Sequence, residues 1–247
     1  MVELMDAPSL ALIALVAVVL ACLVGGVAWV RWKGGVASIP WTAVVSTAAI
    51  AIAWLAFTGL LAGGGLLRNY DALPPPMLRV FGPGLVLAAL AAFSPFGARL
   101  ADGLGWGALI GFQVFRVPVE LMLSALYASG KIPVQMTFHG FNYDIATGIS
   151  APIVAWLAMR GYAGSKTILV WNVAGLALLA NIVTIAVLSM PGRFQVFSNG
   201  PANTIVFGWP FIWLPTWLVL AAWFGHLLVF RKVLRDARSS NLVSATV

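Results

Sequence analysis

The sequence is poor in charge, in cysteine and in histidine. Only 9% of its 247 residues are charged, whereas soluble domains have about 25%. The one cysteine, Cys22, excludes an intramolecular disulfide and a cysteine-based metal site, and two histidines far apart in the chain argue against a bis-histidine haem site. Walker A, GxSxG, HExxH and CxxC motifs are absent. The sequence therefore indicates no metal site and no cofactor.

Long apolar runs fill most of the chain instead. Hydrophobic residues make up 62% of the sequence, in continuous runs of 17 or more residues. Such runs can cross about 30 Å of hydrocarbon as helices, and they lack the alternation of barrel strands. We predict an all-α polytopic membrane protein, with one bundle over residues 1–230 and a basic tail at 231–247. The seven predicted crossings are residues 10–31, 41–62, 77–95, 106–129, 143–159, 166–190 and 204–230.

Basic residues are divided unevenly between the two sides of this topology. Nine lie on one side and four on the other, which predicts a cytoplasmic C-terminus and an N-terminus outside. The first residues carry Glu3 and Asp6 without a basic residue, so a cleaved signal peptide is not expected. We attribute the net charge of +7 to anchoring in the membrane rather than to nucleic-acid binding.

The fourth predicted crossing carries polar residues inside an apolar run. On a helix turning 100° per residue, they form a stripe within about 80°. Gly103, Gly107 and Gly111 lie on nearly the opposite side, where a neighbouring helix can approach closely. Neither side suits lipid, so this helix is predicted to be central in the bundle. The stripe comprises Gln113, Arg116, Glu120, Ser124 and Tyr127.

Arg116 and Glu120 of this stripe are expected near the middle of the membrane. A charge there costs roughly 2.5–3.5 kcal/mol. Pro118, between them, is expected to kink the helix because its ring crowds the carbonyl of Val114. Two interpretations remain open. The residues form an ion pair that only holds helices in register, or they form a substrate, ion or proton site.

Two further regions supply candidates for the same site. Asn181, in the sixth crossing, is expected at the depth of Glu120, although an interhelical hydrogen bond would also explain it. Asn172, nine residues earlier, is expected on the opposite face, bridging helices. The loop 130–144 is a candidate outer lid through Phe138, His139, Asn142 and Asp144. In the alternative, Asn142 or Asp144 caps the fifth helix and His139 is an exposed loop residue.

Four segments carry a resemblance to a known group of proteins. "FQVFRVPVEL", "MTFHGFNYDIATG", "WNVAGLALLANIV" and "FGWPFIWLPT" resemble a family of uncharacterised bacterial polytopic membrane proteins. The resemblance extends from about residue 106 onward, and the first hundred residues are similar only in hydropathy. Family members often carry an acidic residue where this chain has His139. The resemblance implies the bacterial cytoplasmic (inner) membrane and no particular chemistry.

The predicted function is the binding or transport of a small solute, ion or proton around Arg116, Glu120 and Asn181. One alternative is an intramembrane enzyme acting on a lipid or quinone, with Glu120 or Asp144 as acid–base. Another is a non-catalytic membrane subunit or sensor. The expected partners are the lipid bilayer and a small-molecule ligand, without nucleic acid, and the oligomeric state is left open.

Overall fold

The computed structural model describes the backbone of residues 6–34 and 39–244 and the side chains as far as residue 237. Glu3 and the last residues of the predicted tail lie outside the described part. Within it the secondary structure is helical, and a π-helical turn, Leu214–Val219, leads into the last helix. The helices are α1 (Ala7–Lys33), α2 (Trp41–Gly63), α3 (Pro76–Phe93), α4 (Pro95–Gly103), α5 (Trp106–Gly111), α6 (Arg116–Ala128), α7 (Ile145–Met159), α8 (Ser165–Leu188) and α9 (Leu220–Ser244).

Within the described residues, six helical segments are long and apolar enough to cross a membrane, as expected for a multi-pass membrane protein. They include the first four predicted crossings, the sixth and the seventh. The predicted fifth crossing corresponds to α7, which has only 15 residues. The six segments are Ala7–Lys33, Trp41–Gly63, Pro76–Phe93, Trp106–Ala128, Ser165–Leu188 and Leu214–Ala237.

α7 is about 22 Å long at 1.5 Å per residue, too short to cross about 30 Å of hydrocarbon alone. The irregular chain before it enters the bundle. Asn142 in this segment is fully buried, and Asp144 reaches Arg116, near the middle of the fourth span. Non-helical backbone at such a depth is tolerated where protein covers it. The structure therefore has an irregular segment and a short helix where the sequence predicts a fifth crossing.

The fourth span is not one regular helix. The 3-10 turn Phe112–Phe115 separates α5 from α6. Val114 lies in this turn, and Pro118 has no backbone N–H to donate to its carbonyl. Arg116 and Glu120 both lie on α6, so the helix is not interrupted between them, where the kink is expected. The distortion falls one turn earlier.

Glycines let α7 pack tightly along this span. A Cβ on Gly148 would lie 2.8 Å from Cγ2 of Val117, and a Cβ on Gly107 would lie 2.4 Å from Sδ of Met159. Gly103 differs from the prediction because it belongs to α4 and faces Val30 of α1. The α5–α6 segment contacts α1, α7 and α9, which agrees with the predicted central position.

α9 begins and ends later than the seventh predicted crossing. Residues 204–213 contain the 3-10 turn Ile205–Phe207 rather than a long helix. At the other end, α9 continues through residues 231–244, the predicted tail. There Arg231 and Lys232 donate hydrogen bonds to backbone carbonyls that end α3 and α4. Basic side chains at helix C-termini satisfy carbonyl groups that have no partner within the helix.

Polar contacts between helix ends and loops define two opposite faces of the bundle. The ion pair Asp6–Lys131 joins the start of α1 to the end of α6, and we call this side the N-terminal face. Gln135 donates to Asn199 on the same face. The far side is marked by the ion pair between Arg235 and Asp102.

Candidate functional site

The guanidinium of Arg116 is the centre of a buried polar cluster. Its Nε donates to Oδ2 of Asp144 at 2.7 Å, and its Nη2 donates to Oδ1 of the same carboxylate. Its Nη1 lies 2.9 Å from Nε2 of His226. Arg116 is 2% exposed and His226 is fully buried. Two parallel, charge-assisted hydrogen bonds therefore join α6 to the start of α7.

His226 in turn is held by Asn172 of α8. Its Nδ1 lies 2.8 Å from Oδ1 of Asn172, whose Nδ2 donates to the backbone carbonyl of His226 at 3.1 Å. Because a guanidinium only donates hydrogen bonds, Nε2 of His226 must accept, and the ring proton belongs to Nδ1. His226 is therefore assigned as the neutral Nδ1–H tautomer. Gly175 makes room for the ring, since a Cβ there would lie 2.6 Å from Cε1 of His226.

Glu120 is held by an amide rather than by Arg116 within the described part of the chain. Nδ2 of Asn142 lies 2.8 Å from Oε1 and 2.7 Å from Oε2 of Glu120. The predicted ion pair between Arg116 and Glu120 is replaced by the pair between Arg116 and Asp144. Arginine preceding glutamate by four residues is the less favourable order on a helix, whereas Asp144 meets the guanidinium with both carboxylate oxygens.

A cavity of about 90 Å³ lies beside this cluster. Among the described residues, its charged lining groups are Arg116, Glu120 and Asp144, and its other walls are apolar. Leu78 of α3 and Val183 of α8 line it and are only partly buried, so the cavity wall formed by these two helices is not fully covered. Further wall residues are Phe81, Phe115, Leu123, Met136 and Leu218.

The predicted polar stripe divides in the structure. Arg116 and Glu120 line the cavity, whereas Gln113 is buried against α9 and donates to the carbonyl of Ala222 at 3.1 Å. Ser124 is half-buried and Tyr127 is exposed. A 3-10 segment turns 120° per residue rather than 100°. The turn Phe112–Phe115 therefore displaces Gln113 from the stripe.

Asn181 lies on α8 but does not contact Glu120 directly. Its Nδ2 donates to the backbone carbonyl of Phe141 at 2.8 Å, so it holds the loop next to Asn142. The predicted depth of Asn181 was close to that of Glu120, but its side chain is directed at the loop. Asn172, by contrast, bridges helices as expected and thereby joins the buried cluster.

The four candidate lid residues separate into two pairs. Asn142 and Asp144 are buried within the site, whereas His139 is exposed and its ring contacts the half-buried ring of Phe138 in a tilted arrangement, with 4.4 Å between centroids. Asp144 precedes the first turn of α7, but its side chain makes no capping hydrogen bond and pairs with Arg116 instead. Asn142 accepts from the backbone N of Asp144 at 3.1 Å, so it orders the entry to α7.

His226 is the site residue that the sequence prediction missed. The prediction ended the seventh crossing at residue 230, which put His226 near its end. The span is Leu214–Ala237, and His226 lies at its midpoint, as Arg116 does in Trp106–Ala128. A correct boundary would have placed both side chains at the same depth. The pairing of Asp144 with Arg116 had no comparable signal, because it depends on the path of the loop.

Within the described residues, His, Cys, Asp and Glu form no cluster suited to hold a metal ion. Comparison with known proteins yields no match to a family model, a curated protein or a solved structure.

Proposed function

We propose that the protein binds a small solute in the cavity beside Arg116, Glu120 and Asp144 and carries it across the membrane. Glu120 is the carboxylate that gains and loses a proton during this cycle, and Arg116 is the fixed counter-ion of Asp144. The observation that carries the proposal is that the cavity and the buried charges coincide. Ionisable residues inside membrane spans are commonly part of substrate or proton pathways.

The helices around the cavity support the same function. The 3-10 turn Phe112–Phe115, the π turn Leu214–Val219 and the start of α7 all lie beside it. Discontinuous helices frame the substrate sites of many transporters, and π turns are frequent at functional sites.

We also propose seven crossings, an external N-terminus and a cytoplasmic C-terminus. The charge bias of the sequence supports this topology, as do the ion pairs of Asp6 and Arg235, which lie on opposite faces of the bundle. The resemblance described above supports a bacterial cytoplasmic membrane. Reporter fusions at both ends test the topology, and two termini on one side of the membrane would overturn it.

Binding to the cavity can be tested with three compact probes that differ in charge: neopentylamine, neopentyl alcohol and pivalate. Isothermal titration measures their binding to the purified protein. We expect at least one probe to bind the wild type and to lose binding in Val183→Trp, because the indole fills the cavity. Val173→Trp is the matched control, since Val173 is exposed on the same helix.

Transport is tested with the probe that binds, in liposomes containing the protein and a pH-sensitive dye. Protein-free liposomes measure the collapse of an imposed pH gradient that the probe causes by crossing the bilayer unaided. We expect the probe to speed the collapse beyond that level with the wild type, and liposomes with Glu120→Gln to match the protein-free liposomes. The proposed function is wrong if no probe binds, or if Val183→Trp binds and transports like Val173→Trp.

The apolar walls of the cavity favour one alternative function. An opening between α3 and α8 would admit a molecule from the lipid, as required for an enzyme that acts on a lipid or quinone. Glu120 or Asp144 would then act as acid–base. Mass spectrometry of membrane extracts with and without the protein tests this, and a new hydrophobic product that disappears in Glu120→Gln would favour the enzyme.

A further inference from the structure

The buried charges around the cavity do not balance. Glu120 and Asp144 are two carboxylates, and Arg116 is the one guanidinium beside them in the part of the chain that the structure describes. His226 adds no charge, because it accepts from Arg116 through Nε2 and donates to Asn172 through Nδ1. Arg116 gives its paired hydrogen bonds to Asp144. An ionised Glu120 therefore requires one further positive charge, because an uncompensated buried carboxylate is strongly unfavourable.

The hydrogen bonds of Glu120 leave acceptor capacity free in the described structure. Nδ2 of Asn142 is 2.8 and 2.7 Å from the two carboxylate oxygens and 3.0 Å from the carbonyl of Met136. An amide nitrogen has only two hydrogens to donate, whereas a carboxylate has about four acceptor positions. One nitrogen cannot serve three acceptors fully. The carboxylate lines the cavity, and its remaining acceptor positions are available to an occupant there.

The rest of the cavity defines the other end of that occupant. Phe81, Phe115, Leu123 and Val183 are among the side chains that line it. Aromatic rings attract cations through their negative faces, and aliphatic walls favour an apolar body. A cavity of about 90 Å³ suits a compact organic group rather than a long chain.

We propose that the solute carried by this protein is a small lipophilic monocation, an organic amine whose ammonium group binds Glu120. This assignment rests on the proposed function and names its substrate class. The ammonium N–H groups donate to the acceptor positions on the Glu120 carboxylate that Asn142 leaves free, and the apolar body lies against the walls from α3, α6 and α8.

A proton and the ammonium group neutralise the same carboxylate and therefore exclude each other. When the amine enters as the ammonium ion, the Glu120 proton leaves, so one cation replaces another and the charge of the site is unchanged. The charged and titratable groups near Glu120 are Arg116 and Asp144, which remain paired, and His226, whose two ring nitrogens are both engaged. Glu120 is therefore the group that exchanges its proton for the ammonium ion.

The three probes separate charge from shape, because all have nearly the same branched apolar group. We expect neopentylamine to bind the wild type at least about tenfold more tightly than neopentyl alcohol, as a charge-assisted hydrogen bond provides, and pivalate to bind more weakly still. Glu120→Gln should reduce the amine's advantage to about twofold or less, and Glu120→Asp should keep it. Asp71→Asn, which removes an exposed carboxylate, is the control expected to match the wild type.

Titration in buffers of different ionisation enthalpy counts the protons released on binding. We expect neopentylamine to release protons from the wild type as it binds and to release none from Glu120→Gln. Equal binding of amine and alcohol, or an amine preference that survives in Glu120→Gln, overturns the cation assignment. If amine and alcohol bind the wild type equally and both lose binding in Val183→Trp, the solute site stands and only the substrate class is wrong.

Discussion

Two ion pairs connect the region of α6 to distant parts of the chain, and they differ in their surroundings. Arg116 and Asp144 meet inside the bundle, with side chains 2% and 6% exposed. Lys131 and Asp6 meet at the N-terminal face, with side chains 43% and 39% exposed. One ion pair is therefore buried and the other is exposed to solvent.

Of the two pairs, the buried one is informative about function. Burying two charges carries a desolvation penalty that their attraction barely offsets, so apolar side chains would stabilise the bundle as well or better. An exposed pair avoids this penalty and contributes about 0–1 kcal/mol. A buried pair beside a cavity is therefore hard to explain by stability alone, whereas the surface pair is explained by the docking of α1 on the α6 end.

The largest expected effect follows from removing one partner of the buried pair. Asp144→Ala leaves Arg116 buried without its carboxylate and should lower the free energy of unfolding by about 3–5 kcal/mol. Denaturant titration in detergent micelles measures this change. If the pair is retained for function, the double variant Arg116→Met with Asp144→Leu should lose much less stability than Asp144→Ala while losing solute binding.

The same double variant can also show that the buried pair is retained for stability rather than for function. A loss of stability as large as that of Asp144→Ala would mean that the pair is needed to hold α7 in place. The difference between buried and exposed pairs would then be one of stability only.

Much of the fold could be predicted from sequence, because hydropathy and helix length depend on local composition. The apolar runs of α1 and α2 differ from their predicted crossings by only a few residues at each end. The beginning of α9 could not be predicted in this way. Residues 204–213 are as apolar as a helix, and Gly208 and Pro210, rather than hydropathy, are the local signals of an irregular chain there.

Part of the site could also be predicted from local sequence, and part of it could not. Arg116 and Glu120 were found because charge inside an apolar run is conspicuous. The partner of Arg116 was not found, because helical spacing places Glu120 next to it whereas Asp144 arrives by the folding of a 14-residue loop segment, 131–144. Asn181 was preferred over Asn172 because depth can be counted along a helix, whereas the direction of a side chain depends on what packs around it.

The two asparagines of α8 show the same contrast between a buried and a partly exposed polar side chain on a single helix. Asn172 is fully buried and binds His226, whereas Asn181 is only partly buried and binds a loop carbonyl. Asn172→Leu should lower the free energy of unfolding by about 1–3 kcal/mol, since the Nδ1–H of His226 is left unpaired without water. Asn181→Leu should lower it by less than about 1 kcal/mol. Thermal unfolding in micelles ranks the two variants, and the reverse ranking would exclude Asn172 as a support of the cluster.

The smallest effect is expected at the exposed pair. Lys131→Ala should lower the free energy of unfolding at neutral pH by less than about 1 kcal/mol, because water screens the pair. The contribution of this pair to stability is expected to change at acidic pH. The hydrogen bond from Lys131, followed by that from Ser9, lowers the pKa of Asp6 from 3.8 to about 2.

A carboxylate with a lowered pKa in the folded state stabilises the protein above its unfolded pKa, and this contribution disappears as the pH falls through the folded pKa. The wild type should therefore lose the contribution of Asp6 between about pH 4 and pH 2. Lys131→Ala should show a shallower decline over that window, since its Asp6 has less to lose. Unfolding titrations at several pH values compare the two slopes. Parallel slopes would show that the exposed pair contributes nothing to folding, so that α1 is held on the α6 end by apolar packing alone.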